Sequence, residues 1–124
     1  MPGLLLLMLA GLSPGQPAQD PGVQDPGARA FQRCAACHSL RSDDARGPAP
    51  GLRGVVGRRA GSADGFAYTD AMRAAGQRGL IWDEATLERF LADPEAVVPG
   101  TAMPYQGGSA AERTALIAWL RQRR

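Results

Sequence analysis

The stretch "CAACHSL", residues 34 to 40, holds both cysteines and the single histidine of this 124-residue chain. Three chemistries use such residues. A structural zinc site takes four Cys or His ligands, whereas Cys34, Cys37 and His38 have no second pair to join them anywhere in the sequence. A redox disulfide of the thioredoxin kind places its C-x-x-C beside a βαβ unit, and the surroundings here read as helix and loop. The third chemistry uses all five positions of C-x-x-C-H. Two thiols on one helical turn each form a thioether to a haem vinyl group, and the adjacent histidine turns toward the iron. A five-residue pattern also arises by chance, so the rest of the chain has to decide.

Iron bound by His38 has a sixth position to fill. With no second histidine, the protein candidates are methionines, and outside the N-terminal segment these are Met72 and Met103. Met72 falls on a short helical stretch, where a methionine reads as core packing. Met103 lies in "PGTAMP", a Pro/Gly loop in which a core methionine is less expected and a loop-borne ligand more so. A His/Met pair saturates the iron and leaves no open position for oxygen. Thioether sulfur also favours reduced iron and raises the potential. The implied work is one-electron transfer, with no catalytic residue.

The elements that position these residues follow from caps and breakers. Asp25 and Pro26 start a helix running from about 26 to 37, which puts Cys34, Cys37 and His38 at its C-terminal end. From Ser39 to Gly65 the chain is rich in Gly and Pro without an apolar run, so it reads as a long loop that needs something to wrap. A short helix is expected at 70–75, ending at Gly76, and a firmer one at 84–92, "EATLERFLA", stopped by Pro94. Ser109 and Glu112 form a capping box for a last helix with an apolar stripe of Leu116, Ile117, Trp119 and Leu120. Arg121, Arg123 and Arg124 sit at its negative end.

Ahead of these elements, "MPGLLLLMLAGL" carries an apolar run from Leu4 to Leu12. That run is too short to span a bilayer and reads as the apolar core of a secretory signal; a buried N-terminal strand is the alternative. Residues 1–18 are assigned to a signal peptide, 19–25 to a flexible Pro/Gly-rich spacer and 26–124 to one folded domain. About a hundred residues with three Phe, two Trp and two Tyr make a marginal core, which a bound apolar cofactor would complete. All basic residues are arginine, and a net charge of +2 is too small and too mixed with acids to argue for nucleic-acid binding.

Six motifs in order, "CAACH", "GP", "GRRAG", "GFAYTDAM", "IWDEATLERFLADPEAVVPGTAM" and "LIAWL", resemble the class I cytochrome c family, close to the bacterial cytochromes c2 and the mitochondrial type. The match runs from about Gly27 to Leu120. It implies a small all-α cytochrome c fold, with N- and C-terminal helices crossing and long loops wrapping one covalently attached haem c. Cys34 and Cys37 fall on the thioether positions, His38 on the proximal ligand and Met103 on the distal one. Pro48 matches the proline whose carbonyl receives the other nitrogen of the axial histidine. Arg58, Tyr68 and Trp82 fall on positions that bind or neutralise a buried haem propionate, and Thr101 on one that borders the haem. Gly27 and Phe31 match the small and aromatic pair that faces an aromatic of the last helix, here Trp119.

The sequence also departs from the family's pattern. Phe90 stands where many members have tyrosine, and Met72 where mitochondrial members have asparagine. The loop "GPAPGLRGVVG" is two residues longer than the common form. A basic docking face would have to be built from arginines such as Arg33, Arg41, Arg59 and Arg73. The resemblance implies a soluble, monomeric one-electron carrier in the bacterial periplasm, not an enzyme, with no stable membrane insertion after signal removal. It would shuttle between redox proteins such as a cytochrome bc1-type complex, a terminal oxidase, a reaction centre or a periplasmic dehydrogenase. The rivals are a fixed haem subunit of a larger complex and an enzyme or sensor whose Met103 leaves the iron.

Overall fold

The computed structural model describes residues 25–41, 47–105 and 108–124; the expected signal peptide and all of the spacer but Asp25 lie outside them. The first helix, α1 (Pro26–Phe31), starts as its sequence dictates: Asp25 accepts hydrogen bonds from the Gly27 and Ala28 amides, and Pro26 occupies the first turn. Regular helix stops at Phe31, earlier than expected, and irregular turns follow. Within them the Cys37 and His38 amides both donate to the Cys34 carbonyl, at 3.1 and 2.8 Å. The motif therefore sits on a tight turn beyond the helix end.

The remaining helices are α2 (Asp70–Gln77), α3 (Glu84–Ala92), α4 (Pro94–Val97) and α5 (Ala110–Arg121). Among the described residues there is no strand, only an isolated antiparallel bridge between Arg59 and Ile81. The helix α2 runs past Gly76, its expected end. Gly76 is there for close approach, because a Cβ would run into the carbonyl of Ala60. The turn is made three residues later by Gly79 at φ 91°: its amide donates to Gly76 O and that of Leu80 to Ala75 O, the paired bonds of a Schellman end. Pro94 does stop α3, and it also opens α4, with Asp93 serving as the cap between them.

The helices α1 and α5 cross, and α3 packs against α4 and α5. At the first crossing the Phe31 and Trp119 rings lie 5.1 Å apart, and the Arg123 guanidinium stacks 3.4 Å from the Trp119 ring centre. Ser109 caps α5 through the Glu112 amide, while the Glu112 carboxylate turns away to Arg33 at 2.9 Å. Phe31, Cys34, Trp82, Leu87, Phe90, Val98 and Leu116 are among the buried core residues. Met72, Met103, Leu40, Leu52 and Tyr105 pack on that core while remaining partly exposed.

Candidate functional site

Cys34 and Cys37 are free thiols on the turn after α1, the first buried and the second exposed. Burial pushes the Cys34 thiol up, against a smaller opposing pull from the Arg33 charge, which favours the thiol over the thiolate. His38 follows directly. Its Nδ1 lies 2.8 Å from the Pro50 carbonyl oxygen. A carbonyl only accepts, so Nδ1 carries the proton and the lone pair of the neutral ring is on Nε2. Burial lowers the His38 pKa, the Pro50 bond opposes that, and the Arg58 charge adds to the lowering. The neutral, ligating form is the favoured one.

Pro50 corrects the assignment of Pro48. The proline that meets the histidine is two residues further on, because the acceptor is a main-chain carbonyl, which the "GP" motif does not mark. Pro48 itself is exposed.

The loop after Pro50 is tied from three directions. The Leu52 amide donates to Ser39 O at 2.9 Å, Arg58 Nη2 donates to Gly51 O at 2.9 Å, and His38 holds Pro50. Arg58 is in turn fixed by the segment before α3, with Trp82 N–H donating to Arg58 O and Gly57 N–H to Trp82 O, at 2.9 and 2.8 Å. Trp82 is buried, its ring 4.9 Å from that of Phe90. Arg58 and Trp82 are thus brought together through their backbones. Tyr68 lies on a different stretch, where its hydroxyl accepts from the Ala63 amide at 3.0 Å and its ring meets Phe66 edge-on.

On the other side of the sequence, Thr101 and Met103 form a local unit. The Met103 amide donates to Thr101 Oγ1 at 3.3 Å, and the Thr101 amide to Val98 O at 3.0 Å. The loop is held at Gly100, whose φ of 81° suits a residue without a side chain, and whose amide donates to Glu95. Two of the arginines considered for a docking face are already paired, Arg33 with Glu112 and Arg73 with Asp70.

The donor set fits a haem. Two free thiols lie on one turn, a histidine beside them has its tautomer fixed by a carbonyl, a thioether sits on a braced loop, and partly covered apolar side chains rim the core. The crevices flanking α5, about 380 and 310 Å³, contain none of these residues. Comparison with known proteins agrees. The Cytochrome c family model matches residues 24–124. The cytochrome c2 of Rhodoblastus acidophilus is 42% identical over 102 residues, 82% of this chain and 92% of that one. That of Rhodomicrobium vannielii is 43% identical over 95 residues, 76% and 74% of the two chains. Among solved structures, cytochrome cH from Methylobacterium extorquens superposes with a TM-score of 0.69 at 41% identity, covering 78% of this chain and 95% of that one. Cytochrome c2 from Rhodospirillum centenum gives 0.73 at 32%, covering 80% and 98%. The fold, the C-x-x-C-H turn and these relatives together place the chain in the cytochrome c family, whose members carry covalent haem c and are electron carriers, not enzymes.

Proposed function

We propose that this chain binds its haem c through Cys34 and Cys37, with His38 and Met103 as the axial ligands, and passes single electrons between redox proteins of the bacterial periplasm. The observation that carries the reading is the His38 Nδ1 to Pro50 bond of 2.8 Å. It presents Nε2 as the only nitrogen able to ligate, beside two thiols that no disulfide engages. When bound, the haem supplies the one-electron redox couple. The chain's own residues hold and tune it. Met103, on the braced loop after Val98, fills the sixth position. Arg58, Tyr68 and Trp82 would bind or neutralise a propionate, and Thr101 would border the haem beside Met103.

Among the described residues no helix is long and apolar enough to cross a membrane, which accords with a diffusible carrier. A cytochrome bc1-type complex, a terminal oxidase, a reaction centre or a periplasmic dehydrogenase are the partners such a carrier serves. The test is periplasmic expression followed by a haem-stained denaturing gel and the reduced absorption spectrum. Stain that survives denaturation and is lost in Cys34→Ala/Cys37→Ala supports the reading. Absence of covalent haem in the wild type ends it.

A further inference from the structure

We propose that Arg58 is a positioning residue for the iron ligand, holding the Pro50–Gly51 segment so that the Pro50 carbonyl keeps the His38 ring in place; this rests on His38 being the axial ligand. The argument is geometric. Pro50 O accepts from His38, and the next carbonyl, Gly51 O, accepts from Arg58 Nη2 at 2.9 Å. Two adjacent carbonyls of one loop are therefore held by two different side chains. The guanidinium is a charged donor, the stronger kind of hydrogen-bonding partner.

Its own base is rigid: Arg58 N–H donates to Val55 O and Arg58 O accepts from Trp82, at 3.0 and 2.9 Å. A continuous set of contacts thus leads from buried Trp82 through Arg58 and the Gly51 carbonyl to the histidine ring. On the far side of Gly51 the Leu52 amide donates to Ser39 O at 2.9 Å. Without Arg58, the Gly51 carbonyl loses its charged donor, and among the described residues the Pro50 acceptor is then steadied only through the Leu52 to Ser39 bond beyond it.

This role differs in sign from a purely electrostatic one. A steady acceptor on Nδ1 makes the imidazole a more basic ligand, which favours ferric iron. Losing that acceptor raises the potential. A positive charge near the haem disfavours ferric iron, so losing the charge lowers the potential. Two variants separate the effects. Arg58→Gln removes the charge but keeps a side-chain donor for Gly51 O. Arg58→Met removes both.

The experiment uses haem-loaded wild type and both variants, reduced, with the exchange lifetime of the His38 Nδ1–H followed by NMR and the midpoint potential by redox titration. Arg58→Met is expected to shorten the lifetime by about tenfold or more, the scale of one charge-assisted hydrogen bond, and Arg58→Gln by no more than about threefold. The potential of Arg58→Met should lie above that of Arg58→Gln. Equal lifetimes in the two variants overturn the proposal. If Arg58→Met does not take up haem, wild type labelled at arginine nitrogen serves instead. Separate, slowly exchanging Nη–H resonances for Arg58 support the contact to Gly51, and an averaged, freely rotating guanidinium overturns it. Failure of the ligation reading shows separately: His38 ring protons lacking the upfield shift of a ring lying over the haem would overturn it, and this proposal with it.

Discussion

Gly27 lies against Trp119 with no space for another atom. A Cβ on Gly27 would meet the Ala115 carbonyl oxygen at 2.6 Å and Trp119 Cγ at 2.8 Å. Trp119 cannot yield easily, since Phe31 lies against it and Arg123 stacks on its ring. Gly27→Ala improves helix propensity, by up to about 1 kcal/mol, yet is expected to lower stability by about 1–3 kcal/mol through overpacking, and Gly27→Leu by more. Thermal unfolding of the haem-loaded protein checks this. A melting point at or above that of wild type would mean that α1 can tilt away from α5 at little cost.

Asp83 caps α3 by accepting from the Thr86 amide at 2.7 Å. That bond, ahead of the weaker Arg89 charge, holds its carboxyl below the ordinary carboxylate value. A depressed folded pKa contributes stability that is present above the unfolded value, about 3.9, and lost as pH falls through the folded one. Asparagine caps without titrating. The stability advantage of wild type over Asp83→Asn should therefore shrink as pH is lowered from about 6 to about 3. Parallel melting-point curves for the two proteins would rule out the titration of this cap as a source of acid sensitivity.

What was legible in the sequence follows a physical division. Side-chain chemistry announces itself. The helical run 84–92 ahead of Pro94 marked α3, Ser109 with Glu112 marked the start of α5, and the C-x-x-C-H turn with Met103 singled out the haem ligands as candidates. Backbone chemistry does not announce itself. The acceptor for His38 is a main-chain carbonyl that any residue could supply, so the "GP" motif points to Pro48 while the contact is made by Pro50. The same holds for α2, where Gly76 and Gly79 look alike in sequence. One is needed for contact with Ala60 and the other for its positive φ. Arg123 was legible as a favourable charge at a helix end, but its stacking on Trp119 depends on where the chain turns after α5.

Met103→Ala tests the sixth position. The Met103 loop is braced by Gly100 and Thr101, so truncating the thioether should leave the fold and the covalent haem in place while vacating a ligand. Carbon monoxide is expected to bind the reduced variant, and cyanide the oxidised one, readily at neutral pH, whereas the wild type resists both. The midpoint potential should fall with loss of the sulfur ligand. A wild type that binds both ligands as readily as the variant would show that Met103 does not close the site, and would favour a sensor or enzyme.

Phe90 tests the polarity of the pocket. It is 4% exposed and its ring lies 4.9 Å from that of Trp82, at a position where the family resemblance leads one to expect tyrosine. Beside the proposed haem, an apolar side chain here would withhold a dipole able to stabilise the added positive charge of ferric iron and would thereby favour the reduced state. Phe90→Tyr restores that dipole without changing the ring, and the midpoint potential is expected to fall. The same hydroxyl, buried against Trp82, costs about 1–3 kcal/mol if it finds no partner. A melting point near that of wild type therefore shows that it has found one. An unchanged or higher potential in a variant that keeps its melting point would mean the dipole is present and the iron does not feel it, and the apolar pocket would lose its claim to tune the carrier.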